Sequence, residues 1–410
     1  MGTRRSAIPD LGPWLRARAP LPLLVAVLPM LWITVVNAHL TGGWNAVDDQ
    51  FIVKAAQTFR DGGAPYADKR FLYFPSAVLV ALPQSYLSGP ELKWVAPIMT
   101  VALVVGGWLC ALRLFRVPLL SRLSALGILL LCFLVPFRNV VQLGNWTAYS
   151  ALALPAALLL AHRSRWVWAG LVIGLAIATK PMLVPVAVLF LIARRPIAFL
   201  VSAAVPLAAS LAAAAMMPQP GLFFTKTLPF LLHGQDVYAR PFDASLGTLL
   251  PRLGVPHAVA LGLAGILAVA LVAGAWRRWR LGGDEALRLT ETAAMLMLAA
   301  LIASRPSFDH YLLVVLPMLT ASLVRPGSAA RSWWIWVALV PKLAGFTQHQ
   351  LDPLQNQAYS VALVNVVLTL VLLRRVFVDG RGRSGEDEWP MASRTPAEER
   401  ASDRLEPSYS

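Results

Sequence analysis

The stretch Trp166-Val-Trp-Ala-Gly-Leu-Val-Ile-Gly-Leu-Ala-Ile-Ala-Thr179-Lys180-Pro181-Met-Leu-Val-Pro-Val-Ala-Val-Leu-Phe-Leu-Ile192 carries one charged side chain, Lys180. It is bounded by Arg163–Arg165 before it and Arg194–Arg195 after it. An apolar run of this length cannot be surface in a soluble domain, and crossing a hydrocarbon core takes about 20 apolar residues per helix. Pro181 forbids one straight helix through the middle. The reading is therefore two crossings that meet at Lys180, with the arginines holding the far ends on the cytoplasmic side by the positive-inside rule.

The rest of the chain repeats that pattern. Of its 410 residues 57% are hydrophobic and 14% charged, with a mean hydropathy of +0.62, against roughly a quarter charged in soluble proteins. The fold class expected is all-α and polytopic. Spans fall near 20–37, 92–112, 119–137, 146–162, 166–179, 181–194, 197–216, 256–276, 287–304, 309–324, 332–348 and 358–375, about twelve in all. Arg4, Arg5, Arg16 and Arg18 precede the run Leu21–Val36, which lacks a small-x-small cleavage site and reads as an uncleaved first span. The segment Phe71–Leu87, with Pro75 and Pro83, breaks the alternation unless it is a short or re-entrant hairpin. Residues 1–376 form one membrane domain. The acidic tail 377–410, with eight Asp/Glu against five Lys/Arg, reads as a disordered cytoplasmic extension.

The net charge of +15 does not indicate nucleic acid, because the basic residues cluster at span ends, where they suit anionic lipid headgroups. Cys110 and Cys132 lie inside apolar runs and form no CxxC or disulfide framework. No HExxH or phosphate-binding glycine loop appears, so neither metal nor cofactor is expected.

With the arginines inside, segments 38–70, 138–145, 179–181, 217–255, 305–310 and 349–357 share the opposite face, and these hold the candidate chemistry. In Val47-Asp48-Asp49-Gln-Phe-Ile-Val-Lys-Ala55-Ala56-Gln-Thr-Phe59 the apolar spacing is that of a short amphipathic helix lying on the outer surface. Asp48 and Asp49 at its start suit helix capping, or a general base beside a membrane cavity. Lys180 at membrane depth is either a snorkelling lysine or a cavity-facing cation. Arg138, Asn139, Gln142 and Asn145 form a polar break between apolar runs. Arg305, Asp309, His310 and Tyr311 flank another, and Lys226, His233, Asp236, Arg240 and Asp243 populate the longest loop. Basic groups above a cavity with one or two carboxylates suit an anionic lipid headgroup.

In this order the residues resemble glycosyltransferase family 87, of GT-C membrane architecture, over roughly Val47 to Pro317. The carrying motifs are Asp48 followed by Ala55-Ala56, Gly62 and Tyr66; Tyr73-Phe74-Pro75 for the family's Tyr-Pro-Pro; and Leu143-Gly144-Asn145 for Gly-Gln-x-Asn. They continue with Gly174-Leu175 through Lys180-Pro181 for Gly-Leu-x-x-x-x-Lys-Pro, and His310-Tyr311 ahead of Pro317. Two departures stand out: the Gln of the third motif is missing, and Tyr311 replaces a second His. Phe223-Phe224 through Pro229, with Tyr311, is closer to the mycobacterial arabinofuranosyltransferase branch. The resemblance implies inverting, metal-free transfer of a sugar from a polyprenyl-phosphate donor to a cell-envelope glycan or glycolipid, outside the plasma membrane. Asp48 would be the general base and Asp49 supportive. Lys180, Arg305, His310 and Arg138 would hold the lipid phosphate, with Tyr73, Asn145 and Tyr311 in the substrate site. The competing reading is a lipid-linked saccharide flippase, for which paired broken helices or inverted repeats would be expected.

Overall fold

Several of the long helices begin where the sequence supplies a start signal. In the computed structural model, which describes residues 11–41, 45–233, 239–346 and 353–378, Ser88 and Glu91 form a reciprocal capping box. Ser88 Oγ accepts from the Glu91 N–H at 3.4 Å, and Glu91 Oε2 accepts from the Ser88 N–H at 2.7 Å. It opens Gly89–Leu114. Asp284 caps Glu285–Ala303 by accepting from Leu287 N at 2.9 Å, and Pro at the first turn opens Leu21–Leu40 and Pro196–Met216.

Among the described residues, six helices are long and apolar enough to cross a membrane: Leu21–Leu40, Gly89–Leu114, Pro196–Met216, His257–Arg280, Glu285–Ala303 and Asn356–Phe377. A seventh crossing results if Val135–Leu143 and Thr147–His162, which meet at 119°, count as one bent span. The other expected spans are helical but short: Arg122–Phe133, Trp166–Thr179, Pro181–Ile192 and Asp309–Val324. Among the described residues of the stretch 332–348, the helical elements are Trp333–Leu339 and a 3₁₀ turn, Val340–Lys342. The physical cause lies in the proline- and glycine-rich breaks, which cut apolar runs into pieces that a hydropathy reading counts as whole spans.

Several helices turn large apolar side chains outward, as lipid-facing surfaces do: Leu21 and Leu28 on one, Leu200 and Leu207 on another, Ile266 and Val269 on a third. Glu285–Ala303 is by contrast almost wholly enclosed. Small residues let neighbouring backbones close in. A Cβ at Gly107 would lie 2.2 Å from the Ala151 carbonyl oxygen, so this glycine sets the approach of Gly89–Leu114 to Thr147–His162.

Three expectations are refined. Phe71–Leu87 contains Ser76–Ala81 and a 3₁₀ turn, Pro83–Tyr86, far too short to span. The polar break 138–145 is not irregular chain: Arg138, Asn139 and Gln142 belong to the helix Val135–Leu143, closed by Gly144 in the left-handed region at φ 61°. The surface helix is present as Val47–Arg60. Of the tail 377–410, all beyond Val378 lies outside the described residues, as do Asp236 and the basic pair Arg4–Arg5.

The chain has two distinguishable ends. Thr147–His162 and Trp166–Thr179 are joined through Arg163–Arg165, so Asn145 and Lys180 emerge together at the other end. His162 Nδ1 meets Glu285 Oε2 at 3.0 Å, which brings the start of Glu285–Ala303 to the arginine end. There Glu291 accepts from Arg278 on one oxygen and from Arg375 at 3.0 Å on the other. All three acidic and basic side chains are therefore consumed in tying three helices together.

Candidate active site

The surface helix starts at Ala46, itself left-handed at φ 55°, and no side chain caps it. Asp48 and Asp49 sit in the first turn, where a helix dipole favours carboxylates. Both turn away from the helix to grip the bend between Val135–Leu143 and Thr147–His162. Gly144 makes the grip close. A Cβ there would stand 3.0 Å from Asp49 Cβ and 3.3 Å from Ala46 Cα, and Ala46 N donates to Gln142 O at 2.7 Å. Asn145 Nδ2 then donates to Asp48 Oδ2 at 2.6 Å, and Trp146 Nε1 donates to Asp49 Oδ1 at 2.7 Å.

The two aspartates have different surroundings. Asp49 is fully buried, and its Oδ2 has no partner among the described residues. Burial pushes its carboxyl from 3.8 up to about 6; the Trp146 hydrogen bond pulls it back, and the neighbouring Asp48 charge adds to the rise. Asp48 is only half-buried and accepts the single bond from Asn145.

Lys180 reaches the same place from the break between Trp166–Thr179 and the turn Pro181–Leu183. Its Nζ donates to Asn145 Oδ1 and Thr147 Oγ1, each at 2.8 Å, and lies 5.0 Å from the centre of the Tyr311 ring. Tyr73 packs edge-on against Trp146 at 5.8 Å, within electrostatic reach of Asp48 and Tyr311. Lys180 does not snorkel: it is pinned into a hydrogen-bonded cluster. Six expected residues, Asp48, Asp49, Tyr73, Asn145, Lys180 and Tyr311, are thus gathered from five separate stretches of chain.

The others are placed differently. His310 is buried, stacked on Phe308 at 5.7 Å and edge-on to Tyr311 at 5.0 Å. Its Nδ1 lies 3.3 Å from Asp309 Oδ1, while Nε2 has no partner among the described residues. Asp309 also accepts from Asn139 Nδ2 at 2.7 Å and sits in the field of Lys342. His310 therefore belongs to a second polar layer behind Tyr311. Arg305 points elsewhere, donating to Gly247 O at 2.5 Å and standing 3.4 Å from His257. Arg138 is exposed on its helix, with no bond to the cluster among the described residues.

Sequence reasoning missed Trp146, Thr147 and Lys342. Trp146 and Thr147 directly follow Asn145, yet an aromatic and a threonine at the start of an apolar run look like ordinary core. Lys342, buried with Nζ 3.1 Å from Ser360 Oγ, is a lone charge in the apolar stretch 332–348, the signal that singled out Lys180.

Fold and site together define a polytopic α-helical membrane enzyme whose carboxylate and ammonium are gathered at one end of its helices. The family model of Glycosyltransferase family 87 matches residues 71–306, more than half the chain, and the chain belongs to that family. It is a membrane glycosyltransferase, which takes a sugar donor and a glycan acceptor. It is 30% identical over 328 residues to an α-(1→3)-arabinofuranosyltransferase of Mycobacterium tuberculosis, covering 77% of this chain and 73% of that one. The enzyme of the same description from Mycolicibacterium smegmatis is 25% identical over 93% of this chain and 95% of its own. A polyprenol-phosphate-mannose-dependent α-(1-2)-phosphatidylinositol pentamannoside mannosyltransferase from the same organism is 27% identical over 90% and 93%. No solved structure matches. Asp48, Asp49, His310 and Tyr311 lie outside the stretch 71–306, so their assignment rests on geometry and motif.

Proposed function

We propose that this protein transfers arabinofuranose from a polyprenyl-phosphate donor to a hydroxyl of a cell-envelope glycan or glycolipid, with inversion, at the extracytoplasmic face of the plasma membrane. The observation that carries the reading is the pairing of Asp48 with Lys180 across one side chain, Asn145, at the end of the helices away from the arginines. A base and a cation at that separation suit the two sides of a displaced sugar carbon.

Asp48 takes the acceptor O–H proton as the oxygen forms its bond to C1. The C1–O bond to phosphate breaks, its electron pair leaves with the phosphate, and the charge developing there is met by Lys180. C1 passes through an oxocarbenium-like state, as in glycoside chemistry generally. One displacement inverts the anomeric centre. Tyr73 and Tyr311 supply polar edges around the sugar, and Asp49, held by the Trp146 N–H, supports the helix turn that aims Asp48. His310 stands behind Tyr311, its Nε2 without a partner among the described residues. The arrangement gives Arg305 and Arg138 no part in holding the phosphate at this cluster.

Arabinofuranose is favoured over mannose by the stronger likeness to arabinofuranosyltransferases and by Tyr311 in place of a second His. The basic clusters Arg163–Arg165, Arg194–Arg195 and Arg277–Arg280 lie where the positive-inside rule sets the cytoplasm, which leaves the site outside. The test is turnover in nanodiscs with radiolabelled polyprenyl-phosphoarabinofuranose and polyprenyl-phosphomannose, each with an oligosaccharide acceptor. Transfer from the first donor, lost in Asp48→Asn, supports the reading. Transfer from mannose alone reassigns the sugar, and movement of labelled lipid across liposomes without a new glycosidic bond replaces the enzyme reading by a flippase.

A further inference from the structure

Asn145 was expected to touch substrate, yet its polar atoms are already committed. The ammonium of Lys180 has only donors, so the Asn145 atom that it meets must be the carbonyl oxygen. Thr147 confirms this, donating to the same Oδ1 through its N–H at 2.8 Å and its hydroxyl at 2.7 Å. The other end of the amide is then the NH₂ group, which donates to Asp48. With three donors on Oδ1, the amide cannot flip without losing all of them. The side chain is 6% exposed, and it sits at the bend where Gly144 contacts Asp49, Asn145 holds Asp48 and Trp146 holds Asp49.

We propose that Asn145 is a positioning residue whose amide acts as a spacer, holding the Asp48 carboxylate and the Lys180 ammonium apart so that neither neutralises the other. The inference rests on the reading of Asp48 as base and Lys180 as phosphate clamp. Two opposite charges this near each other in a poorly hydrated site collapse into a direct ion pair unless something stands between them. A direct ammonium–carboxylate contact would occupy the lone pair that has to receive the acceptor's proton, and it would divert the cation from the leaving phosphate. A neutral amide orients both groups and consumes neither: its N–H fixes one Asp48 oxygen and its C=O fixes one ammonium hydrogen. The other ionisable groups facing Asp48 among the described residues are Asp49 on its own helix and Tyr73 and Tyr311 from neighbouring segments. None is a cation, so Lys180 is the group against which the carboxylate needs insulation.

The sign of one measurement separates this role from simple support. If Asn145 merely donates a hydrogen bond, its loss destabilises the carboxylate form and moves the acidic limb of kcat/KM up in pH, or leaves it in place. If it is a spacer, its loss lets Lys180 close on Asp48, and the limb moves down. The experiment is the pH profile of sugar transfer in nanodiscs for wild type, Asn145→Ala and the double variant Asn145→Ala/Lys180→Met. Labelling of Asp48 by a hydrophobic carbodiimide, which needs the protonated carboxyl, is followed in parallel across pH by peptide mass spectrometry. The expected result for Asn145→Ala is a limb and a labelling midpoint lowered by about one pH unit or more, with kcat/KM on its plateau down roughly 10²-fold. Both shifts should vanish in the double variant. A labelling midpoint that stays or rises in Asn145→Ala overturns the spacer, even if that variant has no turnover. Full turnover by Asp48→Asn overturns the base assignment instead, and the labelling midpoints then still report on the spacer by themselves.

Discussion

Two charged clusters lie at opposite ends of the helical assembly, on different sets of helices, and they are wired in opposite ways. At the arginine end, Glu291 is fully enclosed, and each of its oxygens is taken by an arginine, Arg278 and Arg375, from two other helices. At the other end, the Asp48 carboxylate and the Lys180 ammonium are both present but are joined only through the Asn145 amide. The first arrangement leaves nothing free to react and fastens three helices. The second leaves an acceptor oxygen and a cation available. Buried charge in a membrane protein therefore has no single meaning: what matters is whether each charge is spent on another.

The comparison is broken most directly at the base. Asp48→Asn keeps the size and one acceptor oxygen but removes proton acceptance, and should lower kcat/KM by about 10³-fold, within the 10²–10⁴ expected of general-base catalysis, while thermal unfolding in detergent is nearly unchanged. Glu291→Ala should do the reverse. It takes the shared carboxylate away from Arg278 and Arg375, at about 3–5 kcal/mol of stability, seen as a large fall in unfolding temperature, with turnover per folded molecule retained. Lys180→Met is intermediate: about 10²-fold in kcat for loss of one preorganised charge on the leaving phosphate, with a smaller loss of stability than Glu291→Ala. If Glu291→Ala instead abolished turnover in protein that remained folded, the division between fastening and reacting clusters would fail.

The smallest effect concerns Asp49. Its folded carboxyl is raised to about 6 from 3.8, so the folded protein keeps a proton that the unfolded chain has released. Stability from this group is fully present below pH 3.8 and is lost as pH rises through about 6. The difference of roughly two units corresponds to on the order of 1–3 kcal/mol. Unfolding temperature should therefore decline between about pH 4 and pH 6 in wild type and decline less in Asp49→Asn, which copies the neutral carboxyl and still accepts from Trp146. Transfer activity in Asp49→Asn should fall less than tenfold; a loss matching that of Asp48→Asn would exchange the two aspartates' parts.

Local signals made part of this site readable in the sequence. Lys180 stood out because a lone cation between apolar runs has few tolerable environments, and Asp48 and Asp49 because their spacing against Phe51, Ala55 and Phe59 marks a helix start. Lys342 carries the same signal as Lys180, a lone cation inside an apolar stretch. Arg305 and Arg138 carry charge and flanking position too, but the fold does not bring them to the Lys180 cluster. Both sit beside apolar runs in sequence, yet Arg305, in the bend after Glu285–Ala303, turns to Gly247, and Arg138 faces the surface from its helix, because a side chain's direction follows the local backbone and not distance along the chain.

The sequence by itself determined that this is a helical membrane protein and which family it belongs to. Apolar run length, charge asymmetry and motif order are all properties of a one-dimensional pattern. The tertiary structure alone decided the number of full-length crossings, because prolines and tight bends cut runs that hydropathy counts as continuous. It also decided that Asn145 stands between Asp48 and Lys180. That arrangement depends on a glycine-closed bend carrying one amide to within hydrogen-bonding distance of two charges 97 and 35 residues away, and no local pattern encodes so long-range a contact.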